Sequence, residues 1–128
     1  MPWISIAAVL GALAVALGAF GAHALKERLT PQALAIFETA VRYQFYHALA
    51  LLTVVPVERW VSSQGSAGGT RWATWAGWAF LVGVAVFSGS LYLMVATGWR
   101  KLGMVTPLGG LSFMAGWLML AMAAWRLR

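Results

Sequence analysis

The chain contains no cysteine, which excludes disulfides, thiolate catalysis and cysteine metal sites. Carboxylates are scarce as well: Glu27, Glu38 and Glu58 are the three acids among 128 residues, and only Glu38 is expected to be shielded. Paired-acid chemistry therefore has little to work with. Charge of either sign makes up 9% of the residues, against the quarter or so of a soluble domain, while 62% are hydrophobic. A small water-soluble fold exposes too much of its chain to hide that much apolar surface. The composition places the protein in a bilayer. Phosphate-cradling loops, nucleophile elbows and metal signatures are missing too, and Leu108-Gly109-Gly110 at a helix start lacks the spacing of a nucleotide fingerprint. No catalytic set, metal site or cofactor is expected.

What is present is apolar and regularly punctuated. A hydrocarbon core of roughly 30 Å needs about 20 apolar residues per helix. Four runs qualify, giving expected helices at about 3–26, 31–57, 72–98 and 107–126. The strictly apolar part of the second run is short, 48–57, and extends backward through an amphipathic stretch. Backbone amides in lipid must bond internally, and nothing alternates as a barrel strand would, so each run is read as a helix. Thr30-Pro31 and Thr106-Pro107 each place a capping hydroxyl ahead of a proline at the first helical position. SSQGSAGG (62–69) reads as a flexible linker, so a loop is expected over 60–71. The expected fold is all-α: one transmembrane domain over 1–128, an integral membrane four-helix bundle made of two helical hairpins. KERLTP (26–31) and KLGMVTP (101–107) hint that the second hairpin duplicates the first.

The net charge of +6 does not point to nucleic acid, because the basic residues stand in ones and twos at the ends of apolar runs. With the tryptophans they are expected to anchor the helices at headgroup level: Trp3, Trp60, Trp72, Trp75, Trp125 and Arg126 on one side, Lys26, Arg28, Trp99, Arg100 and Lys101 on the other. Arg59, Arg71 and Arg128 join the first group, four basic residues stand on each side, and orientation is left unassigned. Ala22-His23-Ala24 fits a signal-peptidase pattern. However, Met-Pro-Trp at the start carries no basic residue and the run is longer than a signal core, so a retained helix is expected.

Small residues recur at helical spacing. Ala7, Gly11, Ala14, Gly18 and Ala22 give several small-xxx-small pairs in the first helix, with Gly21 beside them. Gly83 and Gly89 continue the theme in the third helix, Gly109, Gly110 and Gly116 in the fourth. These eight glycines are the expected packing positions of a tight bundle.

Polar chemistry concentrates in ETAVRYQFYH (38–47). Glu38 and Arg42 are four apart with the acid first, the favourable order for an intrahelical pair. Tyr43 and His47 share a face, and Gln44 stands one turn before His47. Polar groups within a membrane helix are costly and are by default candidate functional sites. Counting about 1.5 Å per residue from Pro31, Glu38 lies roughly 10 Å and His47 roughly 24 Å into the helix. His23, one turn from the end of the first helix, is therefore a partner for Glu38 and not for His47. That argues against a bis-histidine haem or metal site, unless residues 31–38 lie flat on the membrane surface. The candidate cluster is His23, Glu38, Arg42, Tyr43, Gln44 and His47, read either as interface caps that knit the first two helices or as a functional lining.

Three blocks, GAFGAHAL (18–25), VRYQFYHALALL (41–52), and SGSLYL (88–93) with TPLGGLSFMAGW (106–117), sample all four helices. In them the chain resembles the transmembrane protein 256 family, also called domain of unknown function 423. The resemblance implies a four-helix integral membrane protein, in bacteria a protein of the inner (plasma) membrane and in animals linked to mitochondria. It implies no reaction. It places His23, Tyr43, Gln44 and His47 inside the signature blocks and leaves Glu38 just outside. Two functions follow as expectations. The first is a structural or accessory subunit, with lipids and other membrane subunits or its own copies as partners. The second is a small transporter, proton path or lipid-binding protein lined by the polar cluster, which requires those side chains to converge on a wet cavity.

Overall fold

A computed structural model describes residues 1–126, in which five α-helical segments make four rods. The first rod is α1 (Trp3–Phe20), carried on by a π-helical turn, Gly21–Leu25. The second is α2 (Pro31–Ser63). The third is α3 (Ala67–Gly83) running through another π turn, Val84–Ser88, into α4 (Gly89–Thr97). The fourth is α5 (Thr106–Trp125). The rods form two hairpins, α1 with α2 and α3/α4 with α5, and α2 joins them by packing on α1, α3, α4 and α5. Among the described residues there is no strand.

Three rods are long and apolar enough to cross a membrane: Trp3–Leu25, Ala67–Thr97 and Arg100–Trp125. Large apolar side chains point outward along them, such as Ile4, Val9 and Leu13 on α1 and Leu108, Leu111, Met114 and Leu118 on α5. In water these would form an outsized hydrophobic patch; in a bilayer they meet acyl chains. α2 does not reach that apolarity, and its place in the bundle explains why. It buries nine residues, Gln44 and His47 among them, so these two polar side chains are covered by neighbouring helices. The rise from Glu38 to Glu58 is about 30 Å, the thickness of a hydrocarbon core, which sets its charged residues near the two headgroup levels.

The connection between α2 and α3 differs from the expected loop over 60–71. Only Gln64, Gly65 and Ser66 lie outside the helices. Gly65 takes a left-handed φ of 74°, Ser66 N–H donates to the Val61 carbonyl (3.0 Å), and Gly65 N–H donates to that of Ser62 (2.9 Å). This is a Schellman end, which lets α2 run six residues beyond 57. Ser66 then caps α3, its hydroxyl accepting from Gly69 N–H at 3.1 Å. Gly69 belongs to a packed helix rather than a linker: a Cβ there would stand 3.0 Å from the Ala123 carbonyl oxygen and 3.1 Å from Val61 Cβ.

The two Thr-Pro signals also part company. Thr30 caps α2, accepting from Ala33 N–H at 3.1 Å. Thr106 caps nothing; its hydroxyl turns inward to Ser90, 2.6 Å away, and a 3-10 turn, Arg100–Met104, precedes it. The two loops are thus built differently, and the local likeness between them does not extend to their geometry. Arg128, counted above among the charges of its side, lies outside the described residues.

Rings seated on glycines pack the bundle. A Cβ on Gly21 would stand 2.7 Å from the Phe37 ring, one on Gly116 2.7 Å from the Phe80 ring, and one on Gly83 would overlap the Phe113 ring. At Gly109 the neighbour is backbone, the N and Cα of Phe87; at Gly18 it is Val41, at an ordinary 3.4 Å. Gly11 and Gly89 are corrected: nothing lies within 4 Å of a Cβ on either, and Gly110 meets the Phe87 ring only at 3.9 Å. Trp3 is corrected too. It is 1% exposed, its ring covers Gly77 and meets Trp78 edge-on at 5.5 Å, so it is a core residue and not an anchor facing headgroups. Trp60, Trp99 and Trp125 are exposed at rod ends, Trp72 is half-buried, and Lys26, Arg28, Arg100, Lys101 and Arg126 are exposed.

Candidate functional site

The six polar candidates fall into two groups that do not meet. His23 lies in the π turn and is exposed, as are Glu38 and Arg42. Among the described residues no ion pair or hydrogen bond joins His23 to Glu38, or Glu38 to Arg42. The expected His23–Glu38 contact fails because Phe37 takes the inward position, its ring on Gly21, and the next residue points about 100° away around the helix. Glu38 and Arg42 instead share an open groove of about 200 Å³ with Gly18, Gly21, Phe37 and Val41. Gln44 and His47 do not line it.

Gln44 and His47 are buried, 4% and 5% exposed, and three of the four hydrogen bonds their side chains make run between helices. Gln44 Nε2 donates to the Leu10 carbonyl at 2.8 Å, and its Oε1 accepts from the Tyr92 hydroxyl at 2.7 Å. One amide thereby ties α1, α2 and α4. His47 Nδ1 stands 2.8 Å from the Tyr43 carbonyl, and Trp117 Nε1 stands 3.2 Å from His47 Nε2. A carbonyl only accepts and an indole N–H only donates, so Nδ1 carries the proton and Nε2 accepts. The imidazole is thus held neutral, with both nitrogens occupied. Its ring stacks on Phe113 with centroids 3.5 Å apart and 7° between planes, which ties α2 to α5. Tyr43, at the edge of this stack, is 38% exposed and meets Phe87 at 4.7 Å.

Other polar side chains complete the pattern. Ser88 Oγ donates to the Ala40 carbonyl and Ser112 Oγ to the Ala79 carbonyl, both at 2.7 Å. Each is a bond from one rod to the backbone of another, the way small hydroxyls join helices in lipid. Sequence reasoning missed Tyr92 and Trp117 as partners of Gln44 and His47. One signal was available: Trp78 and Trp117 are the two tryptophans that fit neither headgroup level, and an indole N–H at the depth of the hydrocarbon needs an acceptor. Chemically the arrangement is a set of satisfied locks. Among the described residues no three His, Cys, Asp or Glu side chains gather as metal ligands.

The chain matches the family described as a protein of unknown function, DUF423, over residues 17–110. It is 42% identical over 122 residues to UPF0382 membrane protein SH2409 of Staphylococcus haemolyticus, covering 92% of this chain and 93% of that one. To UPF0382 membrane protein YwdK of Bacillus subtilis it is 41% identical over 122 residues, 95% of this chain and 94% of that one. To UPF0382 inner membrane protein YgdD of Escherichia coli K12 it is 37% identical over 123 residues, 95% and 88%. No solved structure matches. With the helices that fit a bilayer, these likenesses make it a membrane protein of the bacterial inner (plasma) membrane, and the chain belongs to the DUF423 family.

Proposed function

We propose that the protein is a structural or accessory subunit of a membrane assembly, docking through the outer face of α1. The observation that carries this reading is the contrast between two outward surfaces in the same bilayer. α5 presents Leu108, Leu111, Met114 and Leu118, bulky side chains suited to acyl chains. α1 presents Ser5, Ala8, Ala12, Ala16 and Ala19, all exposed, on a strip that at 100° per residue is bracketed by Ile4 and Val15 on one flank and Val9, Leu13 and Phe20 on the other. The strip faces away from Trp3, Ala7 and Ala14, the residues α1 buries in its own bundle. Lipid gives no hydrophobic drive between helices, and small residues stabilise their contact by letting backbones approach closely.

The transport reading has less support. Gln44 and His47 find their partners in Leu10, Tyr92, Tyr43 and Trp117 rather than in a shared aqueous space.

Affinity purification of the tagged full chain in mild detergent tests the proposal. The wild type is expected to bring down one set of membrane subunits, or further copies of itself, at fixed stoichiometry. Ala12→Leu is expected to lose them at unchanged expression, and Leu118→Ala to keep them. Wild-type protein recovered alone, or a partner held undiminished by Ala12→Leu, would contradict it.

A further inference from the structure

A pocket on the opposite side of the molecule from His23 carries a second inference, independent of what α1 contacts. Its wall on α3 is Gly68, Arg71, Trp72 and Trp75, spaced i, i+3, i+4 and i+7 and so on one helix face. Arg126, just past the end of α5, forms the other wall, and the space between is about 240 Å³. Two arginines, one on α3 and one at the end of α5, therefore line one small volume. Among the described residues no carboxylate stands within 4.0 Å of either. The neighbouring groove, lined by Glu58, Arg59, Ser62, Ser63 and Thr70, sets an acid beside its arginine and lacks this imbalance.

The indoles fix the depth of the pocket. Trp72 and Trp75 pack edge to face with centroids 5.7 Å apart, and tryptophan favours the headgroup level of a bilayer. That level is where lipid phosphates lie, and the arginine fork matches phosphate oxygens in pairs. Gly68 borders open space, since a Cβ there would meet nothing within 4 Å. We propose that this pocket binds the phosphate of an anionic phospholipid headgroup. Arg71 and Arg126 donate to its oxygens, and Trp72 and Trp75 lie along the glycerol and the upper acyl chain.

Native mass spectrometry of the detergent-purified full chain, incubated with phosphatidylglycerol, phosphatidylcholine or inorganic phosphate, tests this assignment. Phosphatidylglycerol is expected to be retained in preference to phosphatidylcholine, and Arg71→Gln and Arg126→Gln should each lower its retention about fivefold. Gly68→Leu, which fills the space and leaves both charges, should lower it comparably, while Arg59→Gln should leave it unchanged. Equal retention of the two lipids would overturn the proposal, as would a loss with Arg59→Gln matching that at Arg71. Inorganic phosphate that binds alone and displaces the lipid would overturn the lipid assignment in favour of a free anion.

Discussion

Gly109→Ala will destabilise the bundle by about 3 kcal/mol, at the upper end of ordinary overpacking, whereas Gly110→Ala will cost less than about 1 kcal/mol or add a little stability. The two residues are adjacent and chemically identical, and the difference lies in what each faces. A Cβ on Gly109 would fall on the Phe87 backbone, 2.7 Å from its Cα, and a backbone cannot rotate aside as a side chain can. α5 would have to move outward. That shift would strain the Ser112 bond to Ala79, the seat of Phe113 on Gly83, and the stack of Phe113 on His47. A Cβ on Gly110 meets only the edge of the Phe87 ring at 3.9 Å, ordinary contact. Unfolding midpoints of both variants in detergent micelles check the pair. Equal losses at the two positions would mean that α5 does not approach the Phe87 backbone as described.

His47→Ala is the second large effect, expected to cost about 3 kcal/mol, the low end for removing a buried aromatic ring. The imidazole lies flat on Phe113 and also meets Phe80 at 5.8 Å and Trp117 at 6.1 Å. Its loss leaves a void between α2, α3 and α5. His47→Phe keeps the ring and its stack and gives up two hydrogen bonds, the Nδ1–H donated to the Tyr43 carbonyl and the Nε2 acceptor for the Trp117 indole, so it should cost about 2 kcal/mol, the ordinary net worth of two such bonds. The gap between the two variants therefore separates packing from hydrogen bonding, by the same unfolding measurement. If His47→Phe proves as damaging as His47→Ala, the hydrogen bond to Trp117 and not the stack holds α5 in place.

These cases also explain what could be read from the sequence. Apolar run length and the Thr30-Pro31 cap marked the rods and their order, because both depend on neighbours close in the chain. The end of α2 was read too early, because SSQGSAGG has the composition of a linker, yet Gly65 and Ser66 together stop one helix and start the next. Which glycine of 109 and 110 is tight depends on where Phe87 lies, 22 residues before Gly109 and on another rod. Periodicity says that Gln44 and His47 stand one turn apart on α2; it does not say that Tyr92 and Trp117 come from α4 and α5 to meet them. The expected His23–Glu38 contact failed for a related reason. A shared depth in the membrane does not fix which side of the helix faces in, and Phe37 faces in.

The central claim is that the polar interior of α2 is closed, its hydrogen bonds joining helices rather than opening a path. Proton flux through the purified protein in liposomes, under an imposed pH gradient, tests it most directly. The account predicts a rate equal to that of protein-free liposomes, for the wild type and for His47→Phe alike. A wild-type flux above that background, abolished by His47→Phe in protein that remains folded, would contradict it.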